Sequence, residues 1–320
     1  MHSRIALVLV ASWLSACVGN PASAHAAEPV IRIGYLQAPA ALAFIAMREQ
    51  KLLESRGLKP EYYGLLRPQA NIDAFLGGRT DVAIAGSPEP ARFRNKGMKV
   101  KIISCALKDG IYMVVPKGGG ITRWHDLKGK RVGLPSAGTA AALLTRNFLR
   151  ANGVDPERDL QLITVTPAEG VTLADAGQVS AFPVWEPFVT RALATGRYAV
   201  AWSYVDDWRK GTGESTPWVH GVVMAREEYL AAHPQAVETF KTTFLEAVRW
   251  VYANLDKAAE LAAGELKMEP KIIKEAMSRT ELCTEFGEAE KRSLMVLFTL
   301  MHSLDAESVG GKVPSPELFQ

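Results

Sequence analysis

The sequence predicts an α/β protein of two domains, each a mixed, mostly parallel sheet flanked by helices, with a ligand cleft between the domains. Three observations carry this. Short apolar runs that read as strands alternate with helical patterns from Val30 onward, the arrangement of a sheet covered on both faces. The alternation breaks at the glycine run 118–120 and starts afresh at Arg131. The chain of 320 residues, 48% apolar and 22% charged, is long enough for two cores.

Residues 30–35 (VIRIGY) alternate apolar and polar as a first strand. The loop of Leu36, Gln37, Ala38 and Pro39 follows. A helix over 40–53 then carries Leu42, Ile45, Ala46 and Leu53 at helical spacing, and Gly57 closes it. Strand 61–65, helix 69–76, strand 81–85, helix 88–96 and strand 100–106 complete the first half. Residues 111–115 read as a strand crossing into the second domain. There a turn over 126–130 leads to a strand at 131–134, a small-residue loop at 135–138 and a helix over 139–152. Strand 160–165, helix 168–176, strand 180–185, helix 187–195 and strand 199–202 continue the alternation. Residues 219–225 read as the return crossing. Beyond them the pattern is helical: 235–255 sets Val237, Phe240, Phe244, Val248, Val251 and Leu255 on one stripe, and 271–277 and 291–304 follow. This tail should pack on the first domain, giving 30–115 with 225–320 as one domain and 116–224 as the other.

Residues 1–26 read as an export signal, with Arg4 ahead of the apolar run 5–16, which is too short to span a bilayer. Two processing points stand open. Ala24-His25-Ala26 fits the small-x-small pattern of ordinary cleavage. Leu14-Ser15-Ala16-Cys17 resembles the bacterial lipobox, in which residues 1–16 are removed, Cys17 is acylated and 17–29 form a tether. The location expected is periplasmic or extracytoplasmic. The formal net charge is +3, with only Arg4 of the charged residues in the signal, so neither nucleic acid nor an acidic membrane surface is implied as a partner. An oxidising compartment permits Cys105 and Cys283 to pair, although two buried free thiols are the plainer expectation.

Four stretches, in order, resemble the type 2 periplasmic binding proteins of ABC importers. They are IRIGY at 31–35, FLGGRTDVA at 75–83, DLKGK at 126–130 and VWEPF at 184–188. The likeness is greatest to the group that binds alkanesulfonates, taurine, nitrate and thiamine-pyrimidine precursors. It spans residues 30–305. The resemblance implies a monomer that closes around a small anionic or zwitterionic organic solute and delivers it to permease subunits with a cytoplasmic ATPase. It implies no metal or cofactor. One departure stands out: Gly86-Ser87-Pro88-Glu89 has Ser and Glu where sulfonate binders often show Asp, Ala and Pro, which bears on the ligand but not on the architecture.

Open α/β sheets bind ligands at the carboxyl ends of their strands. Four segments qualify: Gln37, Ser87, the run of Ser136, Gly138 and Thr139, and the pair Trp185 and Glu186. Gln37 offers a donor and an acceptor. Ser87 before Pro88 suits both an N-cap and a ligand contact. Trp185 suits stacking, and Glu186 a donor group on the ligand. Ser136, Gly138 and Thr139 sit where a small-residue loop meets a helix start, so they are expected to form the anionic half of the site. His220 is expected to be a hinge residue.

Enzyme readings have little support. C-x-x-C, H-E-x-x-H, G-x-S-x-G and the phosphate-loop pattern are all missing. The rivals carried forward are a pyrimidine-precursor synthase on the same fold, which would need a Cys-rich segment this chain lacks, and a sensing module for a membrane receptor.

Overall fold

The computed structural model describes residues 28–108, 110–213 and 218–320; the export signal and Cys17 lie outside the described residues. The first half runs β1 (Val30–Leu36), α1 (Leu42–Glu49), β2 (Lys59–Leu65), α2 (Pro68–Leu76), β3 (Val82–Gly86), α3 (Pro88–Asn95) and β4 (Val100–Lys108). The second half holds β5 (Tyr112–Pro116), β6 (Arg131–Leu134), α4 (Ala140–Ala151), β7 (Gln161–Thr164), α5 (Glu169–Asp175), β8 (Phe182–Val184), α6 (Phe188–Ala194), β9 (Tyr198–Ser203) and α7 (Tyr204–Thr212). The chain then returns through β10 (Val219–Arg226), α8 (Glu227–Ala232), α9 (Pro234–Ala253), α10 (Leu255–Leu266), α11 (Pro270–Met277), β11 (Glu281–Leu282) and α12 (Glu288–Leu304).

The first sheet has the order β11-β4-β10-β3-β1-β2. In the second domain β8-β5-β9 form one sheet and β6-β7 a parallel pair. A Val132–Ala181 bridge and the Gly133 N–H donating to Ala181 O at 2.9 Å join the two. Strand pairing corrects three expectations. Parallel pairing does not predominate: β1 runs parallel to β2 and β3, but β10 is antiparallel to both β3 and β4, and β11 to β4. β10 enters from the other domain, so it runs against the strands it separates. The crossings are not free connections either. β5 is the central strand of the second domain's three-stranded sheet, and β10 lies inside the first, so the chain passes between the domains before β5 and again before β10. α7 and β11 were not legible from periodicity.

The cysteines are the third correction. β11 pairs with the end of β4, and the Cys283 N–H donates to Ala106 O at 3.1 Å. This brings Cys283 to Cys105 with 5.6 Å between Cα atoms, and the two form a disulfide. A reading of two free thiols had no means of seeing a strand two residues long.

Two of the signature stretches are structural braces. Asp81, at the end of the FLGGRTD turn, accepts from the Arg32 N–H at 2.9 Å and from its guanidinium at 2.6 and 2.9 Å, locking β3 beside β1. Asp126 of DLKGK accepts from the Thr122 and Arg123 amides at 2.9 and 3.1 Å. The Thr122 amide leads the bonds that hold its carboxyl down at about 2. The helical tail packs as expected: Phe240, Phe244 and Val248 of α9 bury with Phe44 of α1 and Ile31 and Ile33 of β1 in one apolar cluster. α4 of the second domain packs against α3, β3 and α12 of the first, so it is the helix across which the domains meet.

Candidate functional site

A cavity lies between the domains, with about 100 Å³ open to the centre of a water-sized sphere. Its walls come from the carboxyl ends of strands and the residues just beyond: Leu36, Ala38 and Ala40 for β1, Gly86 and Glu89 for β3, Leu107 and Ile111 for β4, Thr139 and Ala140 for β6, and Trp185 and Glu186 for β8. Asn71 and Ile72 of α2 and His220 of β10 also line it. The lining is mainly apolar, with a few polar groups set into it.

Glu89 dominates the electrostatics. α3 begins with Pro88, and the Glu89 side chain folds back over that first turn. Its Oε2 accepts from the Gly86 N–H at 3.0 Å, and its Oε1 from the Ala140 N–H at 3.1 Å. A carboxylate of the first domain therefore caps the helix that opens the second. Glu89 is 3% exposed, and burial pushes its carboxyl up to about 7, against the pull of the Gly86 and Ala140 amides and Arg92. Gly86 makes this approach possible. A Cβ there would lie 2.0 Å from the Ala140 Cβ, so only glycine lets β3 meet α4.

A second clamp crosses on the other side. Arg279, just past α11, donates from Nε to Glu186 Oε1 at 2.6 Å and from Nη2 to Thr190 Oγ1 at 2.6 Å. Glu186 Oε2 accepts the Thr190 N–H at 3.1 Å. A third contact runs from Arg92 Nη2 to Gly138 O at 2.7 Å.

Of the expected site residues, Thr139, Trp185 and Glu186 line the cavity. Trp185 is half-buried, with Phe188 edge-on at 6.3 Å. Thr139 Oγ1 donates to Ser136 O at 2.8 Å. Gln37, Ser87, Ser136 and Gly138 are not among the lining residues. Gln37 is half-buried with Nε2 lying against Gly64. Ser136 is exposed, and the carbonyl of half-buried Gly138 is taken by Arg92. Ser87 is buried and makes no side-chain cap, because its own backbone is already helical. The helix start expected to hold a ligand's negative charge receives Glu89 instead. His220 is a strand residue rather than a hinge. Its ring sits beside Trp218 at 5.4 Å, and burial pushes its imidazolium down to about 4, so it is neutral at pH 7.

Sequence reasoning missed Asn71 altogether and noticed Glu89 only as a departure from a motif. That departure was the available signal, since an acid replacing a small apolar residue at a strand end changes the charge of the wall. Asn71 gave none, because α2 reads as an ordinary amphipathic helix.

Two sheet-bearing domains, with the chain crossing between them and a cleft at the strand ends, define the type 2 periplasmic binding protein class of solute-binding fold. The chain belongs to the NMT1-like family, whose model matches residues 24–264. A Bacillus subtilis (strain 168) protein named for binding aliphatic sulfonates is 25% identical over 288 residues, covering 88% of this chain and 83% of that one. The fold is similar to that of the alkanesulfonate-binding protein SsuA from Xanthomonas axonopodis pv. citri bound to MOPS, with a TM-score of 0.72 at 19% identity over 91% of this chain and 96% of that chain. It is also similar to the periplasmic nitrate-binding protein NrtA from Synechocystis PCC 6803, with a TM-score of 0.67 at 16% identity over 90% and 86%. No helix among the described residues is long and apolar enough to cross a membrane.

Proposed function

We propose that this chain is the extracytoplasmic substrate-binding component of an ABC importer. It captures a small organic solute between its domains and presents it to permease subunits driven by a cytoplasmic ATPase. The observation that carries this is the cavity, walled by both domains and bridged by the Glu89 cap on α4 and the Glu186–Arg279 pair. Thr139, Trp185 and Glu186 are the expected residues we assign to the solute. Cys17 is the residue that would anchor the chain to the membrane, and a Cys17→Ser variant would then leave the membrane fraction.

A thermal-shift screen of sulfonates, nitrate, pyrimidines and aromatic acids tests the proposal. A solute at 100 times its Kd adds about 2.7 kcal/mol to native stability, enough to raise the melting temperature by several degrees. Failure of every class to shift the melt counts against a solute-binding role.

The relative named for aliphatic sulfonates supports an anionic or zwitterionic solute, with its charge toward the start of α4.

A further inference from the structure

One residue of the first domain makes three hydrogen bonds to the second. Arg279 Nε donates to Glu186 Oε1 and its Nη2 to Thr190 Oγ1, each at 2.6 Å. Its backbone oxygen accepts from the Tyr112 hydroxyl at 3.0 Å. Arg279 therefore touches the loop after β8, the helix α6 and the strand β5 together. Its neighbour Thr280 lines the cavity, as do Trp185 and Glu186.

The backbone around Arg279 gives it little support. α11 ends at Met277, and β11 is only the two residues Glu281 and Leu282, paired with Lys108 and Leu107 at the end of β4. The Leu282 N–H adds one bond, to the Tyr252 hydroxyl at 2.7 Å. So few bonds weigh lightly against the entropy of ordering the segment. The covalent tie stands at the next residue, where Cys283 is joined to Cys105 of β4. Both cysteines are fully buried, so the bond is a fixed tie rather than one exchanged with thiols in solution. Residues 278–282 form a short strap between α11 and this tie, and Arg279 and Thr280 lie on it.

We propose that the Cys105–Cys283 disulfide positions the solute site, by fixing the strap from which Arg279 holds Glu186 and Thr190. This rests on the reading of the chain as a solute-binding protein and names the device that sets the second domain's wall of the cavity. Arg279 is a positioning residue, acting through Glu186. The Glu186 carboxylate is gripped from both sides, by Arg279 on Oε1 and by the Thr190 N–H on Oε2 at 3.1 Å. Glu186 is 4% exposed, and a carboxylate so buried keeps its place only while paired. When the strap slackens, Glu186 turns to water, the Thr190 N–H loses its acceptor, and Trp185 and the start of α6 loosen with them. A disulfide that only stabilised the first domain would leave those residues undisturbed.

Hydrogen exchange on the mature chain, read by mass spectrometry without solute, tests this in three variants: Cys105→Ala with Cys283→Ala, Arg279→Ala, and all three substitutions together. The first two should each speed exchange over residues 186–192 by at least about tenfold, the scale of one charge-assisted hydrogen bond lost. The combined variant should be no faster there than Arg279→Ala alone, since both changes release the same grip. The β6–β7 pair should exchange as in the wild type. Two glycines inserted after Thr280 slacken the strap with the disulfide intact, and should reproduce the effect if the cysteine variant does not fold. Faster exchange confined to 278–284, or spread evenly over both domains, would overturn the proposal, as would unchanged exchange over 186–192 in Arg279→Ala. These outcomes need no solute, so they stand apart from the thermal-shift screen that decides the solute-binding reading itself.

Discussion

Glu89 and His220 face one cavity and are displaced in opposite directions by the same burial. Glu89 titrates at about 7 in the fold against 4.5 in the unfolded chain. The folded state therefore holds a proton that the unfolded state has lost, and this contribution falls as pH rises from about 4.5 to about 7. His220 titrates at about 4 against 6.5. Here the unfolded state holds the extra proton, and stability falls as pH drops from about 6.5 to about 4. The two slopes oppose each other across the window they share. Glu89→Gln removes only the first. Subtracting the variant's urea stability from that of the wild type at pH 4.5, 5.5, 6.5 and 8 should leave a difference that falls on the order of 3 kcal/mol across the range and then levels off. A flat difference would mean that Glu89 titrates as an ordinary surface acid.

Among the elements, α4 does most to position the site. It begins at the cavity, takes its cap from α3 and buries its flank against β3 and α12. Gly86 is the contact point, and Gly86→Ala places a methyl where the Ala140 Cβ already stands. β3 is held in the first sheet by neighbours on both sides, so the easier relief is for α4 to swing out with its domain. The expected stability cost is about 1–3 kcal/mol, the usual range for overpacking. Affinity for any solute found by thermal shift should fall by more than about tenfold, because the cleft can no longer close fully. An affinity unchanged beside a lowered urea midpoint would show that the strain is absorbed within β3. The disulfide acts on the same scale: by joining Cys105 of β4 to Cys283 it pins the segment after α11, from which Arg279 reaches Glu186.

For the whole molecule, the chain passes between the domains twice, between β4 and β5 and between α7 and β10, and two passages are the arrangement expected to permit rigid-body closure. An apolar cluster runs across both domains, and polar contacts cross beside it: Glu89 with Ala140, Arg92 with Gly138, Arg150 with Asp305 and Arg279 with Glu186. Arg279→Ala leaves Glu186, 4% exposed, without its cation, and the open arrangement rehydrates it. Small-angle scattering should show a larger radius of gyration for Arg279→Ala than for the wild type, and compaction of the wild type when solute saturates it. Equal radii for variant and wild type, with and without solute, would argue against hinge closure.

Much of this architecture was legible in the residues alone. The succession of strands and helices, the restart at Arg131 and the strand-end loops that carry Thr139, Trp185 and Glu186 follow from periodicity and from glycine and proline punctuation, which are local. What stayed hidden depends on partners far apart in the chain. β10 reads as a connection until its pairing with β3 and β4 is seen. Cys105 meets Cys283 across 178 residues because a two-residue strand joins β4. The start of α4 reads as a seat for a ligand's negative charge, and as an isolated helix it would be one. Its occupant, Glu89, lies 51 residues away on another domain. The sequence by itself determined that such a seat exists, since helix termini leave amides unpaired wherever they occur. Only the tertiary structure decided who sits there, because that depends on which surfaces of the two domains are pressed together.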